Sequence, residues 1–441
     1  MMIISSILFS VLLISSAVFF TIQAKKIRRN ILIGRDVDLS GNKSERFKTM
    51  FKVAFGQSKM VASPVAGIMH FFIYAAFVIT QIELLEIVID GVSGGHRRVW
   101  HLLDGTSLAG LYTFTINLIE ILSVLAFIAT ITFLSRRNII RLARFQKPEM
   151  KGWPSKDANI ILFAEIVLIT CIMLMNGGDL ALQARGETHQ TSQFLISSQL
   201  QGFLSGFSTP TLHVIERIGW WGHILGILGF LVYLPFSKHL HILLAFPNTY
   251  YSNLKVQGQF TTLDSVTDVV APNFDPSYQP KTDPNHPVRF GVKDVQDLNW
   301  KNLLDAYSCT ECGRCTSACP QNITGKKLSP RKIMMDTRDR LVEVGNNMDA
   351  NGRKFVDDGK SLLGNYISTE EIWACNTCNA CVQECPINID PLAIIVEIRR
   401  YLVMEESQSP SELNNMFSNI ENNGAPWQFS PADRANWRNE N

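Results

Sequence analysis

Outside two short motifs the 441-residue chain is almost free of cysteine: eight of its nine cysteines fall within 309–319 and 375–385, leaving only Cys171, alone in an apolar run. A secreted disulfide framework would scatter its cysteines along a small, loop-rich chain, so that class is excluded. Crowded cysteines at spacings of three and four residues read instead as metal ligands in a reducing compartment. Net charge is scarce as well. With 41 basic and 39 acidic residues the formal charge is +2, which removes any whole-chain argument for nucleic acid. The sequence has no Gly-x-Gly-x-x-Gly opening a suitable helix, no P-loop and no adjacent Cys-Cys pair. The soluble part thus lacks a substrate site of its own, and must exchange what it carries with another polypeptide.

Charge is also missing from long stretches. Residues 1–23 form an uncharged apolar run, long enough to cross a bilayer core of about 30 Å. Its basic cluster, Lys25, Lys26, Arg28 and Arg29, follows the run, as in an uncleaved anchor with its N-terminus outside; a signal peptide carries positive charge before its apolar stretch. Further spans are expected at about 61–90, 111–134, 158–178 and 213–236. The loops 24–60 and 135–157 are rich in Lys and Arg, whereas the alternate loops carry only Arg97, Arg98 and Arg185. That asymmetry places residues after 240 in the cytoplasm, where the cysteines also belong. The expected fold is mainly α: a five-helix transmembrane bundle (1–245), a Pro-rich linker arm (246–299), a helical two-[4Fe-4S] ferredoxin-like domain (300–405) and a polar docking tail (406–441).

The motifs read "CTECGRCTSACP" from Cys309 and "CNTCNACVQECP" from Cys375. Three cysteines at intervals of three wrap one cubane, and the fourth, followed by proline, reaches the other cluster of a pair. Zinc sites use two pairs of ligands rather than this triplet. One [4Fe-4S] cluster is therefore expected on Cys309, Cys312, Cys315 and Cys385, and the other on Cys375, Cys378, Cys381 and Cys319. The spacer of about 55 residues between the motifs resembles the helical two-cluster domain of heterodisulfide reductase small subunits and succinate dehydrogenase iron-sulfur proteins. Ser329 with Pro330, and Ser368 with Glu371, are expected helix starts within it.

In "WWGHILGILGFLVYLPFSKHLHILLAF", His223 and His241 are 18 residues apart. That is five helical turns, or roughly 27 Å, with both on one face if the helix is continuous. The stretch resembles the last helix of the respiratory nitrate reductase gamma-subunit family, whose two haem-ligand positions fall on His223 and His241. The resemblance implies partners on the second span: His70 facing His241, for a bis-histidine haem b on the inner side, and a second ligand ten residues on. That position is Thr80 here, which leaves His223 without its expected partner unless His96, His101 or His213 supplies one. His239 is expected as a propionate partner or a surface residue. Acidic residues inside spans are functional candidates; Glu120, with Asn117, is a candidate quinone and proton site, although a hydrogen-bonded bundle carboxyl explains it equally. Glu165 is a second such acid, whereas Glu83 and Glu86 are expected near enough to a span end to be solvated.

Taken together the chain resembles membrane iron-sulfur proteins related to heterodisulfide reductase, as in electron-transfer-flavoprotein:menaquinone oxidoreductases. The resemblance implies an oxidoreductase subunit in a bacterial inner membrane, passing electrons between a cytosolic partner and menaquinone or another quinone. The partner would carry paired CCG cysteine-rich domains, with electron-transfer flavoprotein as a further partner. The tail "NNGAPWQFSPADRANW" is similar to the segment that leads into that cysteine-rich domain in fused relatives, so that domain is expected on a separate polypeptide. The rivals are a quinol-dependent reductase of a disulfide or sulfur compound, and a redox sensor that never turns over.

Overall fold

The computed structural model describes residues 2–256, 258–283 and 289–439. Five membrane-length helices dominate its first half: α1 (Met2–Ile31), α2 (Pro64–Ser93), α3 (Ala109–Asn138), α4 (Trp153–Gln183) and α5 (Thr209–Tyr233). Their ends follow from local sequence. Pro64 opens α2 at a position whose N–H has no helical partner, and Gly94 closes it in the left-handed region at φ 69°. Arg28 and Arg29 sit in the last turn of α1, where cations suit the negative end of the helix dipole. Helices α4 and α5 pack closely because Gly219 has no side chain: a Cβ there would lie 2.6 Å from the Met175 amide nitrogen. Cys171 belongs to the same contact, its sulfur filling the space over Gly222.

The continuous helix assumed between His223 and His241 does not form. Helix α5 ends at Tyr233, two 3-10 turns follow at Leu234–Phe236 and Lys238–Leu240, and α6 (His241–Tyr250) starts afresh at His241. Pro235 cannot donate to the helical ladder, and the Ser237 hydroxyl accepts the His239 N–H at 3.1 Å. Asp157, buried on α4, fixes this corner by accepting from the Ser237 hydroxyl at 2.8 Å, the Lys238 N–H at 3.1 Å and the Tyr233 hydroxyl. The depth of His241 is thus set by a capped turn rather than by helical periodicity.

The C-terminal part packs α7 (Trp300–Ser308), α8 (Pro330–Ala350) and α9 (Pro391–Met404) around Leu303, Ile333, Leu341, Leu362, Ile372, Ile394 and Ile398, all fully buried. Each such side chain contributes about 1.5–3 kcal/mol relative to an exposed one. Ser329 and Ser368 cap their helices as the sequence predicts, Ser368 in a reciprocal box with Glu371. The same core takes in Ile31 at the end of α1, Ala245 on α6, and Val292, Val295 and Leu298 from the arm. The ends of α1 and α6 nearest the iron-sulfur part therefore share one hydrophobic core with it. Among the described residues there is no strand, only the isolated bridges Arg35–Asn299 and Leu363–Ile367. The tail forms α10 (Ser411–Asn423) and leaves Trp427, Phe429 and Trp437 exposed.

Candidate electron-transfer site

Each cysteine motif leaves a helix, turns through two left-handed residues and enters a short helix that ends at the fourth cysteine. In the first motif those residues are Glu311 (φ 56°) and Gly313 (φ 74°), followed by Arg314–Ala318; in the second they are Thr377 (φ 55°) and Asn379 (φ 61°), followed by Ala380–Glu384. At Gly313 a side chain is excluded twice, by its φ and by Arg331 Nη1, into which a Cβ would run. The two motifs interleave. One cavity is lined by Cys309, Cys312, Cys315, Cys381 and Cys385. A second is lined by Cys319, Cys375, Cys378 and Cys381. Cys381 lines both, and the crossed-ligand rule expects it in the second set.

Among the described residues no three His, Cys, Asp or Glu side chains converge closely enough for a single metal ion; the cysteines stand around cavities instead. Burial pushes the Cys309 and Cys385 thiols up to about 12, so as free thiols they hold their protons at neutral pH, and binding a metal group must displace those protons.

The two cavities face different surroundings. The second is walled only by residues of the C-terminal part, and Cys378 is exposed. The first lies against the segments that join the membrane-length helices on the side of the iron-sulfur part. Arg314, between Cys312 and Cys315, donates to the Lys59 and Met60 carbonyls, each at 3.1 Å. The Lys59 ammonium donates to the Cys385 carbonyl at 3.1 Å and to Asn388 Oδ1 at 2.8 Å. Arg331 is fully buried and reaches the Arg144 carbonyl and the Glu149 carboxylate, both at 2.7 Å. Glu311, between Cys309 and Cys312, takes Arg338 at 2.8 Å and the ammonium of Lys238.

Lys238 also joins this loop to the histidines. Its carbonyl accepts from His241 Nδ1 at 3.2 Å, which fixes the ring and leaves Nε2 with a free lone pair, as ligating histidines are held. The His70 ring lies with its centroid 6.5 Å from that of His241, and His70 Nδ1 is buried without a partner. The separation of the two rings and the unpartnered His70 nitrogen suit a metal group that takes two imidazoles; His70 and His241 would hold a haem, which would supply a one-electron carrier there. His239 packs 5.3 Å from the His241 ring and 5.1 Å from Phe230, partly buried beside the pair.

At the other end of the bundle, no histidine ring packs on His223 among the described residues; its Nδ1 donates to the Leu168 carbonyl at 3.0 Å. His96 pairs with Asp179 at 3.1 Å, the His101 ring packs on His189, and His213 is exposed. Glu120 and Asn117, expected at a quinone site, instead hold the 193–197 segment. Glu120 accepts from the Ile196 and Ser197 N–H groups and the Ser197 hydroxyl, and Asn117 bonds the Leu195 N–H and the Gln193 carbonyl. Glu83 and Glu86, expected to be solvated, are 4% and 2% exposed and share the buried Arg97 guanidinium at 3.3 and 3.5 Å. The signal for this network was the run of acids at 83, 86 and 90 on one face of α2.

Residues 308–389 match the family model described as a 4Fe-4S dicluster domain. The chain is 28% identical to the probable iron-sulfur-binding oxidoreductase FadF of Bacillus subtilis, over 99% of this chain and 61% of that protein. It is 27% identical to the EtfAB:quinone oxidoreductase of Syntrophomonas wolfei, over 98% and 59%. Its C-terminal part is 26% identical to one of the subunits of the ferredoxin:CoB-CoM heterodisulfide reductase of Methanosarcina mazei, over 24% of this chain and 52% of that one. The chain spans about three fifths of the length of the first two relatives. No solved structure matches it. The chain is a homologue of these iron-sulfur oxidoreductases, with a 4Fe-4S dicluster domain joined to five helices long and apolar enough to cross a membrane.

Proposed function

We propose that the chain is the membrane electron-transfer subunit of a bacterial inner-membrane oxidoreductase that links a soluble partner to the quinone pool, with electron-transfer flavoprotein as donor and menaquinone as acceptor. The observation that carries this reading is continuity. Glu311 of the first cysteine loop meets Lys238, and Lys238 meets His241, which faces His70.

In this reading Cys309, Cys312, Cys315 and Cys385 hold the membrane-proximal [4Fe-4S] cluster, Cys319, Cys375, Cys378 and Cys381 hold the distal one, and His70 with His241 holds haem b. When bound, these groups supply one-electron carriers. The chain's own residues do the positioning. The left-handed turns set the sulfur loops, Lys238 orients His241 by its carbonyl, and Lys59, Arg314 and Arg331 tie the first cysteine loop to the membrane ends. The exposed edge at Cys378 faces the partner, a cytosolic polypeptide with paired CCG domains, and the N-terminus lies outside. Similarity to an EtfAB:quinone oxidoreductase over nearly the whole chain favours the quinone-linked direction.

The test uses purified holoprotein reduced anaerobically and mixed with a water-soluble menaquinone analogue, with optical and EPR detection. The expected result is re-oxidation of all carriers in the native protein, and in His241→Ala reduced clusters that persist at least tenfold longer with an unchanged cluster spectrum. No re-oxidation of the native protein overturns the reading.

A further inference from the structure

The walls of the two cysteine cavities differ in charge. The first contains Arg331, which is wholly buried. Arg144 approaches the same loop, its Cβ 3.6 Å from where a Gly313 side chain would begin, and its charge acts on Cys312. Arg338 acts on Cys309 and Lys59 on Cys385. Opposing these four cations are Glu149 and Glu311, each held in an ion pair, and Glu384 beside Lys59; Glu311 also acts on Cys309, against Arg338. Several of the guanidinium groups are incompletely satisfied: Arg144 Nε and Arg331 Nε are buried without partners. The second cavity has no charged side chain in its wall among the described residues. One cation, Arg399, acts on Cys375 there, and one carboxylate, Asp390, acts on Cys381.

Hydrogen bonds to sulfur do not separate the two sets. The Ile389 N–H donates to Cys385 Sγ at 3.3 Å in the first set and the Thr377 N–H to Cys375 Sγ at 3.4 Å in the second, so the difference between the sets lies in charge. Excess positive charge stabilises the added negative charge of a reduced cluster and raises its potential. Solvent at the exposed Cys378 acts in the opposite sense, for the distal set. Cys375 is partly exposed as well, but so are Cys312 and Cys315 of the first set. Of the cations around that set, Arg331 is wholly buried and Arg144, Arg338 and Lys59 are half-buried, where charges act more strongly than in water.

We infer that the arginine-walled site of Cys309, Cys312, Cys315 and Cys385 is the higher-potential of the two, so that an electron arriving at the Cys378 edge moves downhill toward the membrane. One electron leaves the distal site and one arrives at the proximal site, with no bond or proton moved. This rests on the two-cluster assignment proposed above, and it gives the relay a preferred direction. Arg144 acts here as a positioning charge: it touches no reacting atom.

The test is an EPR-monitored redox titration of the anaerobically purified holoprotein, native and with Arg144→Gln, Lys59→Met or Cys378→Ser. Cys378→Ser identifies the distal signal, which it alters or removes. The native protein is expected to give two cluster signals, the higher-potential one untouched by Cys378→Ser. Arg144→Gln is expected to lower that signal by about 59 mV, a tenfold change in a one-electron equilibrium, while leaving the distal signal in place. Lys59→Met gives the same sign of shift, so that misfolding of one variant does not decide the outcome. If Cys378→Ser alters the higher-potential signal, or if neither charge variant shifts the proximal one, the inference is overturned. A native protein with fewer than two cluster signals instead removes the two-cluster assignment beneath it.

Discussion

Arg97 shows how much one buried side chain can hold. It is 4% exposed, and its guanidinium meets Glu83, Glu86 and Asn176, while its own N–H is fixed by Asp90 at 2.7 Å. Tyr112 donates to the same Glu86. Removing one partner of a buried ion pair strands the other, at a cost of about 3–5 kcal/mol, more than the pair's net worth. Arg97→Ala is therefore expected to destabilise the bundle by about that amount, and the triple variant with Glu83→Gln and Glu86→Gln to recover part of it. Thermal unfolding in detergent measures both, and an unchanged midpoint for Arg97→Ala would refute the role. On the count of loop charges Arg97 looks like a minor outer-side residue; its nearby acids Glu83, Glu86 and Asp90 were the available signal, whereas Asn176 on α4 lies 79 residues away.

At the scale of elements, the docking of the C-terminal part on the membrane helices depends on ties between distant segments. One is Glu149, from the loop between α3 and α4, with Arg331 on α8. Burial pulls the Glu149 carboxyl up, but hydrogen bonds from Arg331 and Ser329 outweigh this and hold it below its ordinary value of 4.5. A depressed carboxyl contributes stability that is fully present above the unfolded value and is lost as pH falls through the folded one. The tie is thus intact at neutral pH and weakens below about pH 4.5. Hydrogen exchange across 143–150 and 329–332 is expected to rise as pH falls through that range, after correction for the intrinsic rate, and Glu149→Gln to abolish the dependence. An equal pH response in the variant would contradict it.

Which elements could be read beforehand follows from how local their signals are. The two cysteine loops and the five spans are written in short spacings and long apolar runs, so their positions were legible. The end of α5 was not, because the corner at Pro235–Leu240 is held by Asp157, some 80 residues away along the chain. Arg144 was visible only as positive charge in the loop 135–157, and Arg331 only as part of the helix expected after Pro330; that they converge on Gly313 depends on tertiary packing.

On the proposed reading the whole molecule is a relay with one exposed edge, one arginine-walled middle and one histidine pair, all at the cytoplasmic end of the bundle. The outer end carries a different kind of interior: the Arg97 network, the Glu120 anchor, and a His223 whose ring is bonded to a backbone carbonyl. The resemblance to nitrate reductase gamma subunits points to two haems, whereas Thr80 and the geometry around His223 leave one supported pair.

Haem and iron content per polypeptide, from the reduced-minus-oxidised spectrum and iron analysis of purified protein, tests this most directly. One b-type haem is expected with about eight non-haem irons, the haem lost in His70→Ala and His241→Ala and kept in His223→Ala. Two haems, or a single haem that disappears with His223 and survives without His241, would contradict it.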